Sequence, residues 1–146
     1  MRIVRFEDND GVSQWGKLVD SDMACPLRGQ LFGDHSFADE PVRVVRLLAP
    51  IEPPNIFAIG LNYADHAREG GARKIPDEPL VFLKATTAVI GPDDPIVLPV
   101  SAPDEVDFEA ELAVVIGRRA CRVSAENALD CDQQREYPGL ARLVCP

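Results

Sequence analysis

The sequence predicts an α+β fold, mostly β: a small N-terminal β module followed by a second β-rich domain. Three observations lead there. Short runs of strand formers recur along the chain, separated by Asp, Gly and Pro turn signals. Residues 106–117 (VDFEAELAVVIG) alternate apolar and polar over a full strand length. Helical spacing is confined to brief stretches.

The elements follow in order. Residues 2–7 (RIVRFE) read as a strand, Asp8-Asn9-Asp10-Gly11 as a turn, and residues 12–19 as the returning strand of a hairpin. Residues 20–22 read as another turn. Residues 23–40 are weakly patterned and read as short strands, a turn at Gly33-Asp34 and one helical turn. Residues 42–48 form an apolar strand candidate closed by Pro50, Pro53 and Pro54, which suit no central strand. The boundary between the domains is placed there, giving 1–52 and 53–130. Residues 55–59 (NIFAI) read as a buried strand ending at Gly60. Asn62 then caps a helix over 63–69 that Gly70-Gly71 stops. Residues 70–79 read as a loop or lid, 80–84 as a strand, 96–98 as a short strand and 101–105 as a polar loop. Residues 106–117 are the clearest strand, and Ser124 caps a helix to about Asp130.

Composition narrows the function. At 146 residues the chain can bury about two-thirds of its unfolded surface, enough for a core without disulfides. No apolar run approaches a bilayer span, and the acidic N-terminus carries no secretory signal; the expectation is a cytoplasmic protein without a membrane partner. The net charge of −9 argues against nucleic acid and for a small-molecule partner. Cys25, Cys121, Cys131 and Cys145 form no C-x-x-C pair and read as reduced thiols, not a zinc site.

Three groups of side chains could carry chemistry. Glu109 and Glu111, two apart on a strand, project from one face about 7 Å apart. Close carboxylates repel, and a divalent cation between them removes that cost. Oxygen ligands favour Mg²⁺, Mn²⁺ or Ca²⁺. Asp107 shares the face. The competing reading is a solvated strand face, but Ala113 and Val115 continue it as apolar residues. His66 and Glu69, three apart on a helix, form either a surface pair or a carboxylate-oriented general base. Lys84 ends an apolar run and either snorkels to solvent or holds an anion.

These motifs stand in a telling order: Gly60-Leu61-Asn62-Tyr63 into Asp65-His66 and Glu69, then Pro79 to Lys84, then Asp107-Phe108-Glu109-Ala110-Glu111-Leu112. Over roughly residues 1–130 the chain resembles the fumarylacetoacetate hydrolase family, in its smaller bacterial-type members. The resemblance implies a mixed β-roll, incomplete here, and a homodimer in the intact enzyme. It implies Glu109 and Glu111 as ligands of Mg²⁺ or Mn²⁺, and His66 and Glu69 as a water-activating dyad. It places Lys84, Asn62 and Tyr63 in the substrate pocket, and a lid over 66–79. The implied substrates are small 2-oxo or 2,4-dioxo acids, and the implied reactions are C–C hydrolysis, isomerisation or decarboxylation.

The pattern breaks near residue 130. The family's third metal ligand, an Asp on a later strand, has no counterpart, and the divergent tail 131–146 (CDQQREYPGLARLVCP) replaces it. Asp132 comes too early. The chain reads as an N-terminal fragment produced by a frameshift or premature stop, with little or no activity alone. The rival expectation is a non-catalytic remnant that binds a ligand or partner.

Overall fold

A computed structural model of the chain describes residues 1–69 and 76–130, apart from the side chains of His66, Leu129 and Asp130. The predicted glycine stop at 70–71, part of the lid and the tail from 131 lie outside the described residues. The chain divides into two compact units. One comprises Met1–Pro50 with the described residues from Gly91 onward, the other Ile51–Ile90.

The first unit is built on an antiparallel sheet of β1 (Ile3–Glu7), β2 (Ser13–Leu18), β3 (Met23–Gly29), β4 (His35–Phe37), β5 (Val42–Arg43) and β6 (Arg46–Leu48). The predicted hairpin forms as β1 and β2, with Ile3 opposite Lys17 and Glu7 opposite Ser13. Its turn is held by the Asp8 carboxylate, which accepts from the backbone N–H of Asp10 at 3.0 Å and of Val12 at 2.9 Å. Gly11 takes the left-handed φ of 75° that this turn needs.

The order is β4-β3-β2-β1-β6, with β5 also beside β3. The predicted single strand over 42–48 is therefore two strands. β5 lies on the β3 edge and β6 on the β1 edge, with only Val44 and Val45 between them. In a flat sheet those edges would stand about 19 Å apart. Three Cα steps reach at most about 11 Å. The sheet must therefore curl until its edges approach. The Val44 N–H donates to the Asp22 carbonyl at 2.7 Å and the Val45 N–H to the Glu7 carbonyl at 2.8 Å, pinning the crossing.

Phe6 is fully buried, and Ile3, Ala24, Cys25 and Leu31 are buried with it. Gly16 is required by close approach: a Cβ there would stand 2.7 Å from the Cys25 carbonyl oxygen and 2.9 Å from the Phe6 ring. Trp15 lies opposite Arg5, whose guanidinium sits 5.7 Å from its ring centroid, and its Nε1–H donates to the Pro50 carbonyl at 2.8 Å. No helical turn is found within 23–40. A local chain reversal takes its place, with the Gln30 N–H donating to the Asp34 carbonyl.

The second unit contains β7 (Ile56–Gly60) and β8 (Leu80–Lys84), a two-stranded antiparallel ribbon, with α1 (Ala64–Glu69) after β7. The Ala67 N–H donates to the Tyr63 carbonyl at 3.0 Å, so the helix starts one residue later than predicted. Ala58 and Ala67 are buried, whereas Phe57 and Leu80, Val81, Phe82 and Leu83 are exposed.

The largest departure concerns residues 106–117. They form no strand; isolated bridges occur at Glu109 and Ile116 only. The wholly apolar face is the open one, since Phe108 is 88% exposed and Ile116 62%, while Val115 on the acid-bearing face is buried. A strand exists only through its neighbour's backbone, and among the described residues no continuous ladder forms along this segment. The short strand predicted at 96–98 is absent for the same reason, and its side chains are exposed. Residues 125–130 form a 3₁₀ helix, with the Asn127 N–H bonded to the Ser124 carbonyl.

Candidate functional site

The predicted site residues fall in both units. Asn62, Tyr63, His66, Glu69 and Lys84 belong to Ile51–Ile90, and Glu109 and Glu111 to the other unit. Each group is built by its own local structure.

In the second unit β7 ends at Gly60 and the chain turns through Leu61 into α1. Leu61 has a φ of 52°, a left-handed conformation costing a side-chain-bearing residue about 1–2 kcal/mol. Such strain persists where the surroundings hold it, commonly at ligand sites. The turn forms one wall of a cleft of about 190 Å³, lined by residues 59–62 and 76–79. Asn62 is exposed along this wall. Asp77 and Glu78 bring carboxylates to the other wall. Leu61, Asp77 and Glu78 carry no signal in the sequence that marks them as cleft residues. Leucine carries no turn signal, and the loop's two acids have no periodicity to mark them.

Helix α1 places His66 and Glu69 at i and i+3, on one side of the backbone. The His66 side chain lies outside the described residues. Glu69 is exposed. Asp65 and Arg68 form an ion pair on this helix, at 2.6 Å. Tyr63 is exposed just before the helix.

Lys84 ends β8 as predicted and is half-buried. The register sets it opposite Ile56, while Gly60 is opposite Leu80. Lys84 therefore stands four residues, about 14 Å, along the ribbon from the Gly60 end, which with Leu61 and Asn62 forms the cleft wall. The ribbon itself does not bring the lysine to that cleft.

In the first unit, burial alternates from 111 to 117: Glu111 and Ala113 are half-buried and Val115 buried, while Leu112, Val114 and Ile116 are exposed. The alternation keeps Glu111 on the covered side with Ala113 and Val115, as the period-two pattern predicts. Glu109 is exposed. Among the described residues no group of three or more His, Cys, Asp or Glu side chains could hold a metal ion. Two carboxylates from one extended segment are thus a partial donor set. Cys25 and Cys121 are free thiols, Cys25 buried and Cys121 exposed; Cys131 and Cys145 lie outside the described residues. Among the described residues no helix is long and apolar enough to cross a membrane.

A sheet module followed by a glycine-ended strand, short helix and paired strand defines a two-part chain with known counterparts. Residues 55–131 match the family model for the fumarylacetoacetate (FAA) hydrolase C-terminal domain, and residues 1–50 match the Rv2993c-like N-terminal domain. The chain belongs to the fumarylacetoacetate hydrolase family. It is 41% identical over 139 residues to protein Rv2993c of Mycobacterium tuberculosis, covering 89% of this chain and 51% of that protein. It is 44% identical over 90 residues to the mitochondrial oxaloacetate tautomerase FAHD2A of Bos taurus, covering 61% of this chain and 28% of that one. The crystal structure of Cg1458 with inhibitor superposes with a TM-score of 0.76 at 37% identity, over 90% of this chain and 52% of that chain. That of 2-hydroxyhepta-2,4-diene-1,7-dioate isomerase from Mycobacterium marinum does so with a TM-score of 0.72 at 34% identity, over 90% and 50%. The chain spans about half the length of the full-length relatives matched over nearly all of it.

Proposed function

We propose that this chain is the proton-transfer and metal-ligand half of an enzyme that rearranges small 2-oxo acids by enol–keto tautomerisation or isomerisation. C–C hydrolysis is the extension of the same chemistry. The observation that carries this reading is the ordered set Asn62-Tyr63, His66, Glu69, Lys84 and Glu109-x-Glu111, in a chain that shares its family with an oxaloacetate tautomerase and a dienedioate isomerase.

In this reading His66 moves a proton at the carbon beside the keto group, and Glu69 orients the imidazole and holds its charge. Asn62 and Tyr63 offer hydrogen bonds that orient the substrate, and Lys84, about 14 Å along the ribbon from that corner, attracts the substrate carboxylate by its charge rather than by sharing the cleft. Glu109 and Glu111 would supply two ligands to Mg²⁺ or Mn²⁺, with Ca²⁺ as a third candidate. Completing the site needs a donor from beyond the described residues. The chemistry such a cation would supply there is Lewis-acid polarisation of a keto oxygen, which would make the neighbouring C–H more acidic. The working enzyme on this reading is a cytoplasmic homodimer.

The partial donor set favours a second reading, a non-catalytic remnant that binds a ligand or partner. Manganese binding by the purified chain, followed by loss of the free-Mn²⁺ electron paramagnetic signal, separates the two. The enzyme reading expects weak binding that both Glu109→Gln and Glu111→Gln remove. It also expects slow conversion of enol-oxaloacetate, followed by ultraviolet absorbance, that His66→Asn abolishes. Binding indifferent to both carboxylate substitutions would overturn it.

A further inference from the structure

The corner between β7 and α1 has few degrees of freedom. Gly60 ends β7 and pairs with Leu80, and the first helical hydrogen bond runs from the Ala67 N–H to the Tyr63 carbonyl. Only Leu61 and Asn62 lie between those anchors. The glycine of the corner does not take the left-handed conformation; it lies against Leu80, where a Cβ would come within 3.1 Å of Leu80 Cδ2. The left-handed φ of 52° falls instead on Leu61, a half-buried residue that lines the cleft. A residue with a Cβ has only a small left-handed region, about 20° wide in φ and about 30° in ψ, whereas glycine ranges widely at positive φ. A leucine at this point costs stability and in return holds the chain at one angle.

We propose that Leu61 is a positioning residue: its pinned backbone fixes the angle at which β7 passes into α1, and with it the placement of Asn62, His66 and Glu69. The chain is held on both sides of the corner, by the β7–β8 ladder before it and by the buried Ala67 after it, so an error at Leu61 is carried along the helix undamped. His66 lies roughly 8 Å further on, and a change of about 20° at the corner would displace it by about 3 Å. Proton transfer tolerates much less, since a misplacement of about 1 Å can cost about a hundredfold in rate. The inference rests on the proposed proton transfer at His66 and adds the residue that sets its geometry. Leu61 touches no reacting atom in this role; it acts through the residues that follow it.

The test compares Leu61→Gly with Leu61→Asn in the whole chain. Asparagine accepts the left-handed conformation and keeps the Cβ that narrows it, whereas glycine removes the restriction. Nitrogen-15 relaxation is measured at the amides of residues 61–63. Order parameters of about 0.85 are expected in the unsubstituted chain and in Leu61→Asn, falling below about 0.6 in Leu61→Gly. The β7 amides should exchange with solvent no faster in Leu61→Gly, which separates a loosened corner from an unfolded one. In the conversion of enol-oxaloacetate, Leu61→Gly should lower kcat about tenfold with KM changed less than about twofold, and Leu61→Asn should leave both within about twofold. Amides as rigid in Leu61→Gly as in the unsubstituted chain would overturn the proposal. So would a Leu61→Asn chain as loose or as slow as Leu61→Gly, because contacts of the leucine side chain would then be what holds the corner. An unsubstituted chain without turnover would overturn the proposed activity alone, and the amide comparison would still decide for or against Leu61.

Discussion

Residues 1–50 and residues 106–116 are both rich in strand formers, yet one segment folds into a sheet and the other does not. In the first, every strand finds a partner within a few tens of residues, and Phe6 and Ala24 are fully buried. In the second, the most regular alternation in the chain yields isolated bridges and an exposed Phe108. The difference teaches that periodicity specifies which faces a strand will have, while a neighbouring backbone decides whether it becomes one.

The contrast can be broken by substitution. Phe6→Ala should cost about 3–5 kcal/mol, as for other fully buried aromatic residues. Phe108→Ala should change stability by less than about 0.5 kcal/mol. Denaturant unfolding followed by Trp15, the one tryptophan, reads both, and equal losses would erase the distinction. Gly16→Ala should cost about 1–3 kcal/mol, because its new methyl group meets backbone and ring atoms that cannot both retreat. An unchanged midpoint would show that the curl of the sheet is looser than the contacts imply. The smallest effect sharpens the picture of the second unit. Leu61→Gly relieves a left-handed backbone and should stabilise the β7 corner by up to about 1 kcal/mol, seen as slower hydrogen exchange at β7 amides. Faster exchange would mean that the leucine side chain, not backbone strain, dominates there.

Local chemistry was readable where it acts over a few residues. The Asp8–Gly11 turn, the β1–β2 pairing and the strand ending at Lys84 all follow from adjacent residues. The split of 42–48 was not readable, because both halves are apolar and only the sheet's curl assigns them to opposite edges. The order of the site motifs was legible and points to the family that the comparisons establish. The separation of Lys84 from the Asn62 corner was not, since it depends on ribbon register. Leu61 was missed because its conformation contradicts its residue type.

The two-residue crossing at Val44 and Val45 has a consequence for biosynthesis. Each strand of that sheet, and the Pro50 carbonyl that receives the Trp15 indole, lies within the first fifty residues. The sheet can therefore close while later residues are still in the ribosome, so that the nascent protein meets its chaperones with the N-terminal module complete and residues 106–116 as the sticky part.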